Sequence, residues 1–417
     1  MSIKIKKDTF YSVLLALSIA IPYLNSYELT FTTWSLTILF TLSYKYPLII
    51  IRYIIPFALI FITGIISFIG KDYNTYSVIR DMTYFLKPAM GLLAGYQLGK
   101  ILGHKILKAC VYTAVGISIV HLLVILVVFI VHQKVSIHVL REYGGFFSDF
   151  EVYVLIMLMF RRKFSIQISK TRAQLFIALI GISSFLYLSR TNFIQFFVLY
   201  IGMLGYFALT KKALMRIVGV LAFCLLGYSV ILAINPKRNG QGLEAFLYKV
   251  KVAPIEPFKT KIDVTDWKDF NDNYRSFENI ITVREVNKHG TESILIGRGF
   301  GSMLNLGQEV FLDGSWEQHI PKVHNGYMTV YLKTGLIGVL LFLYSNFMLF
   351  FHKKSGIVRV EYINRLLIST GVFLIFSNWV FLGLYFVADT KALLVGALLA
   401  YRAYIAGNNN AMPAPSQ

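Results

Sequence analysis

Charge is scarce in this chain. Only 15% of its 417 residues are Asp, Glu, Lys or Arg, 56% are hydrophobic, and the mean hydropathy of +0.62 is too high for a soluble globular protein of this size. Cysteine is scarcer still. Cys110 and Cys224 both fall inside apolar runs, which argues against a disulfide framework or a thiolate metal site and leaves them as packing residues. HExxH, an Asp-x-Asp pair in the polar insertion and Cys/His ligand spacings are all absent, so no metal and no cofactor is expected. No nucleophile elbow and no internal repeat or heptad run occurs. Acidic residues are outnumbered, 21 against 41 Lys and Arg, for a net charge of +20. That excess does not imply a nucleic-acid partner, because the basic residues are scattered over separate short loops instead of forming one groove.

Apolar runs of membrane-crossing length are plentiful. Twelve are expected to span, near residues 9–25, 29–44, 48–70, 78–99, 106–131, 146–160, 173–189, 192–209, 214–234, 326–351, 364–384 and 386–405. The fold class is therefore all-α, a polytopic integral membrane protein. With the N-terminus cytoplasmic, about 20 Lys and Arg lie in inner segments and about five in short outer loops, which puts both termini inside. The start, MSIKIKKDTFYSVLLALSIA, reads as an uncleaved first helix, and the tail from 406 to 417 as a disordered cytoplasmic segment. Between a bundle of about nine helices (1–234) and three C-terminal spans (326–405) lies an outer insertion, 235–325. It is expected to fold as short helices, 241–253 and 275–290 being the best candidates, the second stopped by Gly290. An ordered insertion of this length is usually functional.

The stretch KVHNGYM (322–328) opens the tenth run and places His324 and Asn325 at its outer mouth. Asn is a good helix cap, so capping competes with a functional role there. Arg190 in YLSRTNF has interfacial snorkelling as its competing explanation, and Arg275 in NDNYRSFENI that of a solvated helix charge. IGRGFGS (296–302), with Arg298, has the look of a phosphate loop but no strand–loop–helix unit around it, so it reads as a tight turn. Arg80, Asp81, Asp149 and Glu151 fall near outer helix ends and are expected to rim one outer cavity; Lys87 lies deeper, and His121 and Asp389 are further ionisable residues near or within helices.

Four segments in order, GGFFSDFEVYVLIML (144–158), LYLSRTNFIQFFVLYIG (186–202), YRSFENIITVREVNKHGTESILIGRGFGS (274–302) and HNGYMTVYLKTGLIG (324–338), resemble the O-antigen polymerase and O-antigen ligase superfamily of bacterial inner-membrane glycosyltransferases. The resemblance covers the second half of the chain, and its most specific part is His-Asn-x-Tyr followed by Gly-x-x-Gly. It implies a multi-span, GT-C-like, metal-independent enzyme of the cytoplasmic membrane, acting at the periplasmic face on glycans carried by undecaprenyl pyrophosphate. His324 then matches the general base, Arg190 and Arg275 the pyrophosphate ligands, and Asn325 and Tyr327 the substrate side of the motif, with Arg80, Asp149, Glu151 and Arg298 as further candidates. Ligase-type members commonly have Glu where this chain has Lys333, which favours a polymerase joining lipid-linked repeat units, working with a chain-length regulator as such polymerases often do. The alternatives are a ligase acting on lipid A-core, a polysaccharide flippase or transporter, and a membrane acyltransferase.

Overall fold

The structure is a computed structural model and describes residues 7–409, except 44, 132–136, 146–147, 208–210, 238–242, 253–258, 260, 313 and 354. The expected tail therefore lies mostly outside the described residues.

The chain is mostly helical. It begins with α1 (Lys7–Ala20), α2 (Tyr27–Phe40), α3 (Leu48–Phe68), α4 (Thr75–Leu102), α5 (Ile106–Val131) and a short α6 (Ile137–Gly144). There follow α7 (Asp149–Met159), the single turn α8 (Arg161–Phe164), α9 (Lys170–Leu186), α10 (Arg190–Met203) and α11 (Lys211–Ile234). The insertion holds α12 (Leu243–Val252), α13 (Trp267–Asp272), α14 (Tyr274–Lys288), α15 (Gly290–Ile296) and a hairpin of β1 (Leu304–Leu312) and β2 (Ser315–Ile320). The chain then continues as α16 (Gly326–Phe347), α17 (Val358–Val380) and α18 (Lys391–Asn409). Each of the twelve apolar runs coincides with one of these helices. Among the described residues, four helical stretches are long and apolar enough to cross a membrane: Leu48–Phe68, Thr75–Val131, Gly326–Phe350 and Val358–Val380. Several others are shorter, such as α1 and α2 at 14 residues each. At 1.5 Å per residue such a helix covers only about 21 Å of an apolar layer roughly 30 Å thick.

Backbone proximity holds the bundle together where α4 crosses α18. Gly91, Gly95 and Gly99 recur at helical spacing along α4, and a Cβ on Gly95 would meet the Leu393 carbonyl oxygen at 1.8 Å. Small residues four apart let two helices approach this closely and gain dispersion contact that lipid cannot supply.

Two spans depart from continuous helices. The link between α17 and α18 is a ten-residue segment, 381–390, that leaves the α-helix, with a 3-10 turn at Gly383–Tyr385 and with Leu384, Tyr385 and Val387 buried, where the two apolar runs were expected to be separated by residue 385 alone. Carboxylates stop it from helix formation until Lys391. Asp149 Oδ2 accepts from the Thr390 N–H at 3.0 Å, Asp389 Oδ1 accepts from the Lys391 N–H at 2.9 Å, and the Lys391 ammonium pairs with both acids. Lys87 joins this group, donating to the Asp389 carbonyl at 2.6 Å with its ammonium 5.0 Å from the Trp34 ring centroid.

The second departure is in α16, where Gly335 takes φ 62 and ψ −161 and divides the helix in two. Carbonyls near the break are satisfied by the glycine-rich turn: Arg298 N–H donates to Leu332 O at 2.8 Å and Gly299 N–H to Lys333 O at 3.0 Å. Lys333, 1% exposed, donates to Asp81 at 2.6 Å and to the Ser302 carbonyl, while Asp81 also accepts from the Gly301 N–H at 2.8 Å. Lys333 is thus the buried cation that clamps the turn to α4.

The insertion is not wholly helical. β1 and β2 pair antiparallel from Leu304↔Ile320 to Leu312↔Ser315, with a register shift between Asn305 and Val310. β1 alternates buried and exposed positions at Leu304, Asn305, Leu306 and Gly307, the period of a half-buried strand. Its buried face joins Phe270, Phe277, Val286 and Val323 in a second core beneath the hairpin.

Candidate functional site

α14 is positioned by its apolar positions Phe277 and Val286, which are buried in that second core. Arg275 and Glu278, three residues apart, consequently fall on neighbouring positions of one face. The segment from Pro321 to Asn325 brings a histidine to that face. Val323 is pinned by Thr329, whose hydroxyl donates to the Val323 carbonyl at 3.0 Å. Asn325 caps α16, its side-chain oxygen accepting from the Tyr327 and Met328 N–H groups at 2.9 and 3.2 Å. Gly326 is needed because a Cβ there would lie 2.9 Å from the Leu382 carbonyl oxygen of the 381–390 segment.

His324 does no capping. Its backbone N–H donates to Glu278 Oε2 at 2.9 Å, and its Nδ1 lies 3.0 Å from both oxygens of that carboxylate. Glu278 is 1% exposed, whereas the imidazole is 42% exposed. The Nδ1 edge of the ring is thereby turned to the carboxylate, and Nε2 is the nitrogen not engaged by Glu278. Tyr274 meets the His324 ring edge-on at 5.9 Å. Burial, and after it the Glu278 charge, push the Tyr274 phenol well above its ordinary value, so it stays neutral.

His324 lines a cavity of about 1930 Å³ together with Arg80, Arg275, Glu278 and Lys322. The cavity continues as a groove between α1 and α5, reaching Lys108 and Arg359 at its far end. The α5 lining from Lys108 to Val124 covers seventeen residues, about 24 Å of helix from end to end. Apolar side chains such as Val13, Ile117 and Val120 make up much of the wall, and Phe381, Leu382 and Phe386 of the 381–390 segment contribute beside His324.

The candidates from the sequence separate into distinct places. His324, Arg275 and Arg80 share the cavity; Arg80 also lies 3.7 Å from Asp81 and 3.6 Å from the Met303 sulfur. Arg190 is exposed at the first residue of α10 and is not among the lining residues. Tyr327 is in the core, 7% exposed and packed on Phe342, because the first turn of α16 turns that side inward. Arg298 is engaged in the glycine turn, donating to Glu285 at 2.5 Å and to the Met303 carbonyl at 3.2 Å. Asp149 and Glu151 do not rim the cavity but are wholly buried at the start of α7. There Glu151 accepts from the hydroxyls of Ser118 at 2.5 Å, Ser183 at 2.7 Å and Ser148.

Among the lining residues that the sequence did not single out, Glu278 and Lys322 matter most to the surroundings of His324. Glu278 lies 46 positions before its histidine, and its only local signal is the three-residue spacing from Arg275. Lys322 stands two positions before His324 and reads as one more loop lysine. Among the described residues no group of three or more His, Cys, Asp or Glu side chains could hold a metal ion. No protein-family model matches the chain, and no curated protein matches it.

Proposed function

We propose that the chain is a bacterial inner-membrane polysaccharide polymerase of the O-antigen type, transferring a glycan from undecaprenyl pyrophosphate to a lipid-linked repeat-unit acceptor. The observation that carries this reading is the His324–Glu278 pair at a cavity that also holds Arg80 and Arg275. The acceptor hydroxyl attacks the anomeric carbon of the donor glycan, and the C–O bond to pyrophosphate breaks. The hydroxyl proton passes to His324 Nε2, and the bonding electron pair leaves with undecaprenyl pyrophosphate. His324 is the general base, Glu278 the counter-charge of the imidazolium that forms, and the arginines stabilise the departing pyrophosphate. A groove about 24 Å along α5, apolar in its middle, suits the isoprenoid tail of such a donor. In this reading all twelve apolar helices cross the membrane in a GT-C-like arrangement, the short ones where the protein thins the lipid, with both termini cytoplasmic and His324 periplasmic.

One feature favours a second reading. Basic residues stand at both ends of the groove, Lys108 and Arg359 opposite Arg275 and Lys322, as a path for flipping a lipid-linked glycan would have. Surface polysaccharide from cells lacking the gene, complemented with wild type or His324→Ala, separates the two. Polymer restored by wild type but stopped at one repeat unit in the variant is expected of a polymerase. Bare core with long lipid-linked polymer accumulating identifies a ligase, and flipping without transfer in proteoliposomes identifies a flippase.

A further inference from the structure

We infer that Lys322, with Arg275 and Arg80, forms the phosphate-binding subsite of the cavity, in the role that family resemblance gives to Arg190. The inference rests on the donor being a lipid pyrophosphate. Lys322 is half-buried and lines the same cavity as His324, two residues before it in the chain.

The ammonium is held in place by aromatic faces. Nζ lies 4.9 Å from the Tyr27 ring centroid, 5.2 Å from that of Tyr84 and 3.4 Å from the Tyr27 hydroxyl oxygen. That platform is itself fixed. The two rings stand 4.7 Å apart, the Tyr27 hydroxyl donates to the Tyr385 carbonyl at 3.0 Å, and Tyr84 stacks on Tyr385 at 5.9 Å with 9° between the planes. Three separate parts of the chain, α2, α4 and the 381–390 segment, thus converge to seat one flexible side chain. A cation over aromatic faces is attracted to them, and it has already lost much of the rotamer freedom that binding would otherwise cost. Pyrophosphate gains negative charge as the glycosidic bond breaks, so a preset ammonium there stabilises the leaving group more than the ground state. Arg190 lacks this placement, being exposed at the start of α10 and outside the lining.

The test uses full-length protein in nanodiscs with Lys322→Met, Lys322→Arg, Arg275→Ala and Arg190→Ala. Two readouts are taken: inorganic pyrophosphate binding, and transfer kinetics with a lipid-linked oligosaccharide. Lys322→Met is expected to weaken pyrophosphate binding and kcat/KM by about 10- to 100-fold, as loss of one charge-assisted contact does. Lys322→Arg should keep both within about fivefold, which a merely misfolded variant could not mimic, and Arg190→Ala should lose less than Lys322→Met. Pyrophosphate binding in Lys322→Met equal to wild type overturns the inference, as does a larger loss in Arg190→Ala. If wild type binds pyrophosphate through Lys322 yet transfers no glycan, the proposed reaction fails while the anion subsite stands.

Discussion

Replacing Glu278 by Gln removes one charge and little volume, which makes it the sharpest probe of the site. The side chain keeps an oxygen for the His324 backbone N–H, now 2.9 Å away, so the loop should hold its path. What is lost is the negative partner 3.0 Å from Nδ1. In the ground state a charge-assisted bond becomes a neutral one, a difference of about 1–2 kcal/mol. In the transition state, where the imidazole has taken the acceptor's proton, two unit charges about 4 Å apart at an effective dielectric near 20 would forfeit about 4 kcal/mol. The imidazole is 42% exposed, and solvent screening brings the net effect toward the lower end. Turnover should therefore fall about 10- to 100-fold, since each 1.4 kcal/mol is a factor of ten, while KM for the lipid-linked donor changes by less than about threefold. Steady-state transfer by purified protein measures both. The double variant Glu278→Gln/His324→Ala should be no slower than His324→Ala alone, because Glu278 acts through the imidazole. Full turnover in the single variant, or losses that multiply in the double, would refute the reasoning.

Two further outcomes follow from the structure. Lys333→Met takes the nearest cation from the buried Asp81 carboxylate, leaving it the Gly301 N–H and Arg80 at 3.7 Å, and should lower stability by about 3 kcal/mol, whereas Asp81→Leu/Lys333→Met should recover more than half of that; thermal unfolding in detergent reads both. Asp269, whose carboxyl is held below its usual range by the bond from Lys259, stabilises the insertion above the unfolded carboxyl value and loses that contribution as pH falls through the folded one. Exchange protection in α13, corrected for the intrinsic pH dependence of amide exchange, should accordingly be steady from about pH 7 to 5 and fall only below about pH 4, and a fall near pH 6 would show that another group governs it.

Much of the helical framework was legible because hydropathy reports burial in lipid or protein without needing to know the neighbour. α14 ends where Gly290, with φ +85, was expected to stop it. His324 and Asn325 were correctly located at the mouth of α16, and the cap explanation turned out to belong to Asn325 alone. The hairpin was missed because the apolar alternation of LNLGQEVFL is broken at Gly307 and SWEQHI is short and largely polar, and their core face includes Phe277 and Val286, which come earlier in the chain. Pairings across the fold escaped for the same reason. Nothing local to Glu278 points to residue 324, and nothing local to Lys322 points to Tyr27 and Tyr84. Lys333, which stood out where ligase-type members of the family that the sequence resembles commonly have Glu, pairs with Asp81, 252 positions away.

The break at Gly335 bears on how the chain can be recombined. Residues 326–334 are fastened to the 297–302 turn by two backbone bonds and the Lys333–Asp81 clamp, while among the described residues no hydrogen bond ties the helix beyond Gly335 to that turn. The half-helix that begins beside His324 is therefore mechanically an extension of the insertion. A chimera that exchanges the outer segment for that of another protein, in order to transplant its glycan preference, should be spliced at Gly335. A join at Asn325, where the polar sequence ends, would graft a foreign turn onto a half-helix made to fit this one.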